Sequence, residues 1–423
     1  MTDPPKKKLA LVLSGGGARG AYEAGVVAYI RSQHFPRDLA FKRPFDILCG
    51  SSVGAINTCF LAAFNHNLEH QGKKILEIWQ EIRQDDIYRR GVIGLANLMG
   101  RGVGGILGNI FRGSPDAPVT SPKRFHFNGF LDTSPLPRYL RRVIPWKQIS
   151  LNIQKGSPEA VSVIATNVHT GKMELFIEKN PSVFYTGRHR ANFVTLETEH
   201  AMASAAIPLV FPTVRVDGHY YCDGGLRLNT PLSPAVQLGA EKVLVIGLHH
   251  ESERAEQKDN TPVHDTFAVP TMGEVIGKVL NSIFLDRLEY DLEQMSRINS
   301  IIEGGEAVCG PDFLTHFNER VIEKAGRRDV PGHQFKKLEV TTIFPSRDIR
   351  EIFAECAIDS QLIRKNLTTF EKVLFRLLDV DLRRGQEFLS FILFIPSYIK
   401  KLLELGFEDA RSNHEALVKF FED

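Results

Sequence analysis

The chain has 423 residues, 43% of them hydrophobic and 24% charged, with a formal net charge of +2. That is room for one large α/β domain with additions, or for two domains, at an ordinary globular composition. A balance so close to neutral excludes a global basic field, and no nucleic-acid partner is expected.

In chain order, the start "MTDPPKKKLALVLSGGG" carries lysines but only a short apolar stretch before its glycines, too short for a signal-peptide core. Leu9–Leu13 is wholly apolar, like a central parallel strand buried on both faces, and a helix is expected in "AYEAGVVAYI". Phe45–Cys49 is a second such strand, with a helix in "VGAINTCFLAAF" after it. Residues 86–128 break the pattern. They are rich in glycine and then proline, and mix Ile, Leu, Met and Phe with Arg89, Arg90, Arg101, Arg112, Lys123 and Arg124. Such an insertion reads either as a lid that touches anionic lipid or as an ordinary surface excursion.

Further strands are predicted in "EAVSVIATNV" (159–168) and "EKVLVIGLHH" (241–250), and "ESERAEQKDNTP" (251–262) reads as an exposed linker. Val275, Val279, Ile283, Leu288, Leu292, Met295 and Ile298 recur at helical spacing, predicting a core-covering helix. "LEVTTIF" (338–344) is too apolar and β-branched to stand alone and is expected to join or flank the main sheet. The stripe in "FLSFILFIPSYIKKLLELG" reads as core before it reads as a membrane dock, and its uncharged run is too short to span a bilayer. Strands alternating with helices predict a mainly parallel sheet with helices on both faces. Cys49, Cys59, Cys222, Cys309 and Cys356 are far apart and lack C-x-x-C spacing, which points to a reducing compartment, cytoplasmic by default, rather than a disulfide framework or zinc site.

Three motifs carry chemistry. Gly15-Gly16-Gly17-Ala18-Arg19-Gly20 fits G-x-G-x-x-G between a strand and a helix. Its backbone amides suit a dinucleotide pyrophosphate or a developing oxyanion equally. The dinucleotide reading also wants an acid at the end of a second strand about 20 residues on, and the surroundings of Asp38 do not read as one. Gly50-Ser51-Ser52-Val53-Gly54 fits G-x-S-x-G, the sharp strand-to-helix turn that presents a nucleophilic serine. The plainer alternative is Ser51 or Ser52 as a helix N-cap. Asp223-Gly224-Gly225 follows a polar-aromatic strand, and by itself Asp-Gly-Gly is a common turn.

Together and in this order, the three motifs resemble those of the patatin-like phospholipase family, as does "ASAAIPLVFP" (203–212). The resemblance covers roughly residues 8–250. The tail is similar to that of bacterial members in "DRLEYDLEQMSRIN" (286–299) and "LFIPSYIKKLLELGFEDA" (393–410). It implies an α/β, patatin-like three-layer fold, with a mainly parallel central sheet flanked by helices and a largely helical C-terminal extension. The expected division is a phospholipase domain over 8–250 and a mostly helical region over 263–423 packing on it. The resemblance also implies Ser52 as nucleophile, Asp223 as its proton acceptor, and the amides around Gly15, Gly16 and Gly17 as oxyanion hole. Gly20, Gly50, Gly54, Gly224 and Gly225 support the motifs, and Arg19 is expected to hold the loop or an anionic head group. No cofactor or metal is implied. A rival histidine-containing serine hydrolase would have to use His249 or His250, which read as loop residues at a strand end, while His169 reads as a turn residue.

The expected reaction is hydrolysis of a carboxylic ester of a phospholipid or lysophospholipid through an acyl-enzyme, with peripheral membrane contact through residues 86–128. A transacylase or neutral-lipid esterase could use the same pair. A non-catalytic lipid-binding module would need none of these groups together, and a nicotinamide oxidoreductase rests on the first motif alone.

Overall fold

The computed structural model describes residues 6–90, 129–250, 272–284, 288–324, 335–358, 368–369, 371–373 and 386–422. The expectations for residues 91–128 and for the linker 251–262 lie outside the described residues. The central element is a nine-stranded sheet. Its main path runs β5 (Arg190–Phe193), β4 (Met173–Lys179), β3 (Ala160–Asn167), β2 (Ile47–Ser51), β1 (Leu9–Leu13), β8 (Lys242–Ile246) and β9 (Glu339–Ile343). From β3 to β9 every neighbouring pair is parallel. The antiparallel pair β6 (Val214–Val216) and β7 (His219–Asp223) joins through β7, which lies against β3.

The apolar runs become strands because both faces of this sheet are covered. Leu9, Leu11 and Leu13 of β1 point into the larger apolar cluster, while Ala10 and Val12 point into a second one on the other face. This period of two is what a strand does with an unbroken apolar run. The larger cluster is capped by α1 (Ala21–Ile30), α2 (Val53–Ala63) and α3 (Leu68–Glu81), together with helices from the end of the chain.

Two late segments belong to this body. β9 pairs with β8 from Lys242↔Glu339 to Ile246↔Ile343, so "LEVTTIF" extends the sheet. The helix Pro396–Ser412 packs on α1 so closely that a Cβ at Gly25 would strike the Leu403 carbonyl, and one at Gly406 the Tyr22 carbonyl. Tyr22 OH adds a 3.0 Å bond to Asp409 there. The stripe beginning at Phe388 is core: Phe388, Leu389, Phe391, Ile392, Tyr398, Ile399 and Leu402 are buried.

The stripe from Val275 to Ile298 needs correction. It covers two helices, Met272–Phe284 and Leu288–Cys309, and the second runs ten residues past Asn299. Val275 and Val279 face solvent at 48% and 49% exposure, whereas Leu280 is buried and Ile276 packs on the core. The packed face of the first helix is thus displaced by one residue from the valines. Ile298 is also exposed, while Leu288 and Ile302 are buried.

Candidate active site

The sheet register brings the second and third motifs together. β4 occupies one edge of β3 from Ala160 to Thr166. β2 and β7 must therefore share the other edge. β2 runs along it to the pair Ser51↔Ile164, and β7 arrives from the opposite direction with Asp223 paired to Ala165. Two strand ends meet at adjacent rungs of one ladder, and the residues at the meeting point are Ser52 and Asp223.

Ser52 follows β2 with φ 51° and ψ −124°, a left-handed backbone that a non-glycine residue adopts only under constraint. Close packing supplies that constraint. A Cβ at Gly50 would collide with the Gly54 carbonyl, and one at Gly54 with the Leu13 carbonyl, so strand and helix cross without side chains between them. The Ser52 amide donates to Ser204 Oγ at 2.9 Å, at the end of the helix Thr198–Ser204. Ser52 occupies the N-cap position of α2, but its hydroxyl makes no capping bond. Instead Ser52 Oγ donates to Asp223 Oδ2 at 2.7 Å.

Asp223 has no solvent exposure. Its Oδ1 accepts the Gly225 amide at 2.8 Å, and its backbone is held by Ala206 and by Thr166 Oγ1 at 2.9 Å each. Gly224 sits where a Cβ would strike the Ile164 carbonyl. Burial pushes the Asp223 carboxyl up to about 7, against the opposing pull of the Ser52 and Gly225 hydrogen bonds.

The glycine loop lies over this pair, with Gly15 against the Ser52 side chain. The three glycines are not equivalent. The Gly15 amide is taken by Asn229, donating to Oδ1 at 3.0 Å and to the Asn229 carbonyl at 3.3 Å. The Gly16 and Gly17 amides make no hydrogen bond to the described residues. Ser14 bonds Thr230 Oγ1 at 2.7 Å, so the residues just after Asp-Gly-Gly latch the loop on two sides. Arg19 is fully buried. Its Nε and Nη2 donate to Ser390 Oγ at 3.1 and 2.8 Å, and the guanidinium lies 4.0 Å from the centroid of Phe391. These contacts tie the Arg19 side chain to the helix Gln386–Ile392. Gly20 packs against Val53 and Trp79.

Beside Ser52 opens a cavity that is partly continuous with solvent. Its lining is almost wholly apolar: Ile56, Phe60, Ile78, Leu140, Ile207, Phe211, Phe391 and Phe394 are among the contributors. A serine hydroxyl bonded to a buried carboxylate, two amides without partners among the described residues and an apolar cavity can acylate, stabilise an oxyanion and house an alkyl chain.

The model of the family described as patatin-like phospholipase matches residues 11–236, more than half of the chain. The chain belongs to this family. Membership places it among lipid hydrolases. A comparison with curated protein sequences finds no match. Among solved structures, the chain is similar to VipD from Legionella pneumophila at 13% identity, covering 96% of this chain and 92% of that one, with a TM-score of 0.29. It is also similar to human GIVD cytosolic phospholipase A2 in complex with methyl gamma-linolenyl fluorophosphonate, at 10% identity, covering 98% of this chain and 59% of that one, with a TM-score of 0.38. A third is ExoU in its heterodimeric complex with SpcU from Pseudomonas aeruginosa, at 15% identity over 91% and 68% of the two chains, with a TM-score of 0.27.

Five residues of the site have no role in the motif reading: Ser204, Asn229, Thr230, Phe391 and Phe394. Ser204 lies in the family-like "ASAAIPLVFP", and Asn229 and Thr230 lie in "YYCDGGLRLNTP", so proximity to a motif was the available signal for them. Phe394 lies in the family-like tail segment 393–410, whereas Phe391 carries no such signal. Arg89 and Arg90, counted with the lipid-attracting cations, are engaged with Asp132 and with Asp85 and Glu371 respectively.

Proposed function

We propose that the protein hydrolyses carboxylic esters of phospholipids or lysophospholipids through an acyl-enzyme on Ser52. The observation that carries the reading is the 2.7 Å bond from Ser52 Oγ to a fully buried Asp223 at the edge of an apolar cavity. Asp223 accepts the hydroxyl proton directly as Oγ attacks the ester carbonyl. The carbonyl oxygen, now negative, is held by the Gly16 and Gly17 amides, while Gly15 anchors the loop through Asn229. Asp223 returns the proton to the leaving alkoxide. Water then attacks the acyl carbonyl as Asp223 takes its proton, and the Ser52 Oγ–acyl bond breaks as that proton passes to Oγ, releasing the fatty acid. A carboxyl with the ordinary pKa of ~4 is a weak base at neutral pH, and burial that moves Asp223 to about 7 matches it to the task.

Contact with the membrane is proposed as peripheral and reversible. Among the described residues no helix is long and apolar enough to cross a membrane. A cytoplasmic, reducing setting is the companion proposal, supported by five cysteines that are all unpaired. The same pair could pass its acyl group to an alcohol in place of water. The test is mass spectrometry of the products from mixed phospholipid vesicles, with and without added glycerol or lysolipid. The expected result is free fatty acid from the wild type and none from Ser52→Ala, with a drop of at least ~10⁴-fold in rate. Acylated acceptor as the main product would replace hydrolase by transacylase, and turnover by Ser52→Ala would remove Ser52 from the chemistry.

A further inference from the structure

The family match ends at residue 236, yet the cavity beside Ser52 is completed by residues some 150 positions later. Phe391 and Phe394 line it, at the end of the helix Gln386–Ile392 and just beyond. Each is fixed against an element of the matched region. The Phe391 carbonyl lies where a Cβ on Gly17 would be, so only a glycine loop fits beneath it. Arg19 grips the preceding residue through Ser390 Oγ and stacks on the Phe391 ring. Buried Gln84 clasps the backbone on both sides of Leu393: its Nε2 donates to the Ile392 carbonyl at 2.9 Å, and its Oε1 accepts the Phe394 amide at 2.7 Å. The Phe394 ring stacks on Trp79, another cavity residue, with centroids 6.2 Å apart and planes 13° apart.

A surface helix that merely shielded the core would need none of this registration. Two hydrogen-bond clamps and two ring contacts hold these phenylalanines at defined positions beside the nucleophile. Their rings take up volume that a longer alkyl chain would need. Resting on the reading that Ser52 is acylated, we propose that Phe391 and Phe394 set the acyl-chain length the enzyme accepts, with Arg19 and Gln84 as the positioning residues that hold them in register. Chain selectivity would then reside in a segment outside the family-matched part of the chain.

The test uses the full-length protein and a series of straight-chain alkyl fluorophosphonates of graded length, with labelling followed by intact-mass spectrometry. In each reaction Ser52 Oγ forms a bond to phosphorus, fluoride leaves, and the hydroxyl proton passes to Asp223. The wild type is expected to label at rates that fall off beyond some length. Phe394→Leu and Phe391→Leu should move that fall-off to longer chains, and Phe394→Trp to shorter ones. At the fall-off, each methylene should change the relative rate on the order of tenfold. An unchanged length profile in both leucine variants overturns the proposal, whatever the tryptophan variant does. Failure of every probe to label the wild type would instead overturn the acylation reading beneath it. Circular dichroism of each leucine variant, matched to wild type, assigns the shift to the cavity rather than to unfolding.

Discussion

The corner that carries Ser52 and Asp223 and the helix that walls the neighbouring cavity are held in place by different forces. At the corner, backbone does the work: two strands abut on one edge of β3, and the side chains at their ends meet as a consequence of register. At the wall, side chains do it. Arg19 and Gln84 reach across to Ser390, Ile392 and Phe394, and aromatic rings fill the space between. A one-residue slip along β3 would turn every side chain of the slipped strand to the opposite face, so the corner is close to all-or-none. The wall can be altered one ring at a time. This difference separates the chemistry, which tolerates little change, from selectivity, which can drift.

The strongest attempt to break the corner is Asp223→Asn, which keeps the shape and removes the proton acceptor. Hydrolysis of a soluble ester should fall by roughly 10²- to 10⁴-fold, the usual range for a lost general base. The same substitution should act on stability with the opposite sign. The folded carboxyl titrates at about 7, above its ordinary value of 3.8, so the folded state binds the proton more tightly than the unfolded state does. The stability this contributes is present below pH ~4 and is lost as pH rises through 7, leaving a buried charge that costs on the order of 4 kcal/mol. Asp223→Asn should therefore melt above the wild type at pH 8, with the gap closing toward pH 4. Equal melting points at pH 8 would contradict the buried-charge account even if activity is lost.

The wild type gives an independent reading of the same group. kcat/KM for a short soluble ester reports the free enzyme, so its acid limb should rise with pH through about 7 as Asp223 loses its proton. A limb near the ordinary carboxylate range would mean that solvent reaches the carboxyl.

Much of the corner was legible in the sequence because it depends on short-range necessities. Glycines must flank a strained serine where strand and helix cross, and an apolar run of five must be a strand buried on both faces. Those constraints leave marks within a dozen residues. The meeting of β2 with β7 left no local mark, since it arises from how three strands share edges; the motif resemblance supplied it instead. The wall was read as core, with a membrane dock as the alternative and a looser family resemblance over 393–410. Nothing in "FLSFILFIP" distinguishes a ring that fills a cavity from one that faces a nucleophile, because both are apolar residues at helical spacing. The displaced stripe on the helix Met272–Phe284 fails for a related reason: Val275, Ile276, Val279 and Leu280 offer two adjacent apolar faces, and only tertiary packing selects Ile276 and Leu280.

A gentler test loosens the loop without touching the pair. Asn229→Ala removes the side chain that accepts the Gly15 amide and donates to the Gly15 carbonyl. The Gly16 and Gly17 amides would remain, less firmly aimed. Activity should fall by about 10- to 100-fold, below the cost of deleting a direct oxyanion donor. The loss should appear in kcat with KM little changed, because the apolar cavity is intact. A loss confined to KM would mean that the loop binds substrate and does not stabilise the oxyanion.

The smallest effect is expected from the serine next door. Ser51 and Ser52 share the motif and both are buried, yet substitutions at the two are not equivalent. Ser51 ends β2 with its hydroxyl packed near Gly224 and without a hydrogen-bond partner among the described residues. An unsatisfied buried hydroxyl costs about 1–3 kcal/mol in desolvation, and alanine removes that cost while leaving a gap of one oxygen atom. Ser51→Ala should therefore keep activity within about twofold and melt at or slightly above the wild-type temperature, by up to ~1 kcal/mol in stability. Its backbone rung with Ile164, which sets where Ser52 begins, is independent of the side chain. A large loss of activity in Ser51→Ala with the fold preserved would show that the Ser51 hydroxyl takes part in the reaction. The corner would then have a second polar member, and the assignment of all proton transfer to Asp223 would fail.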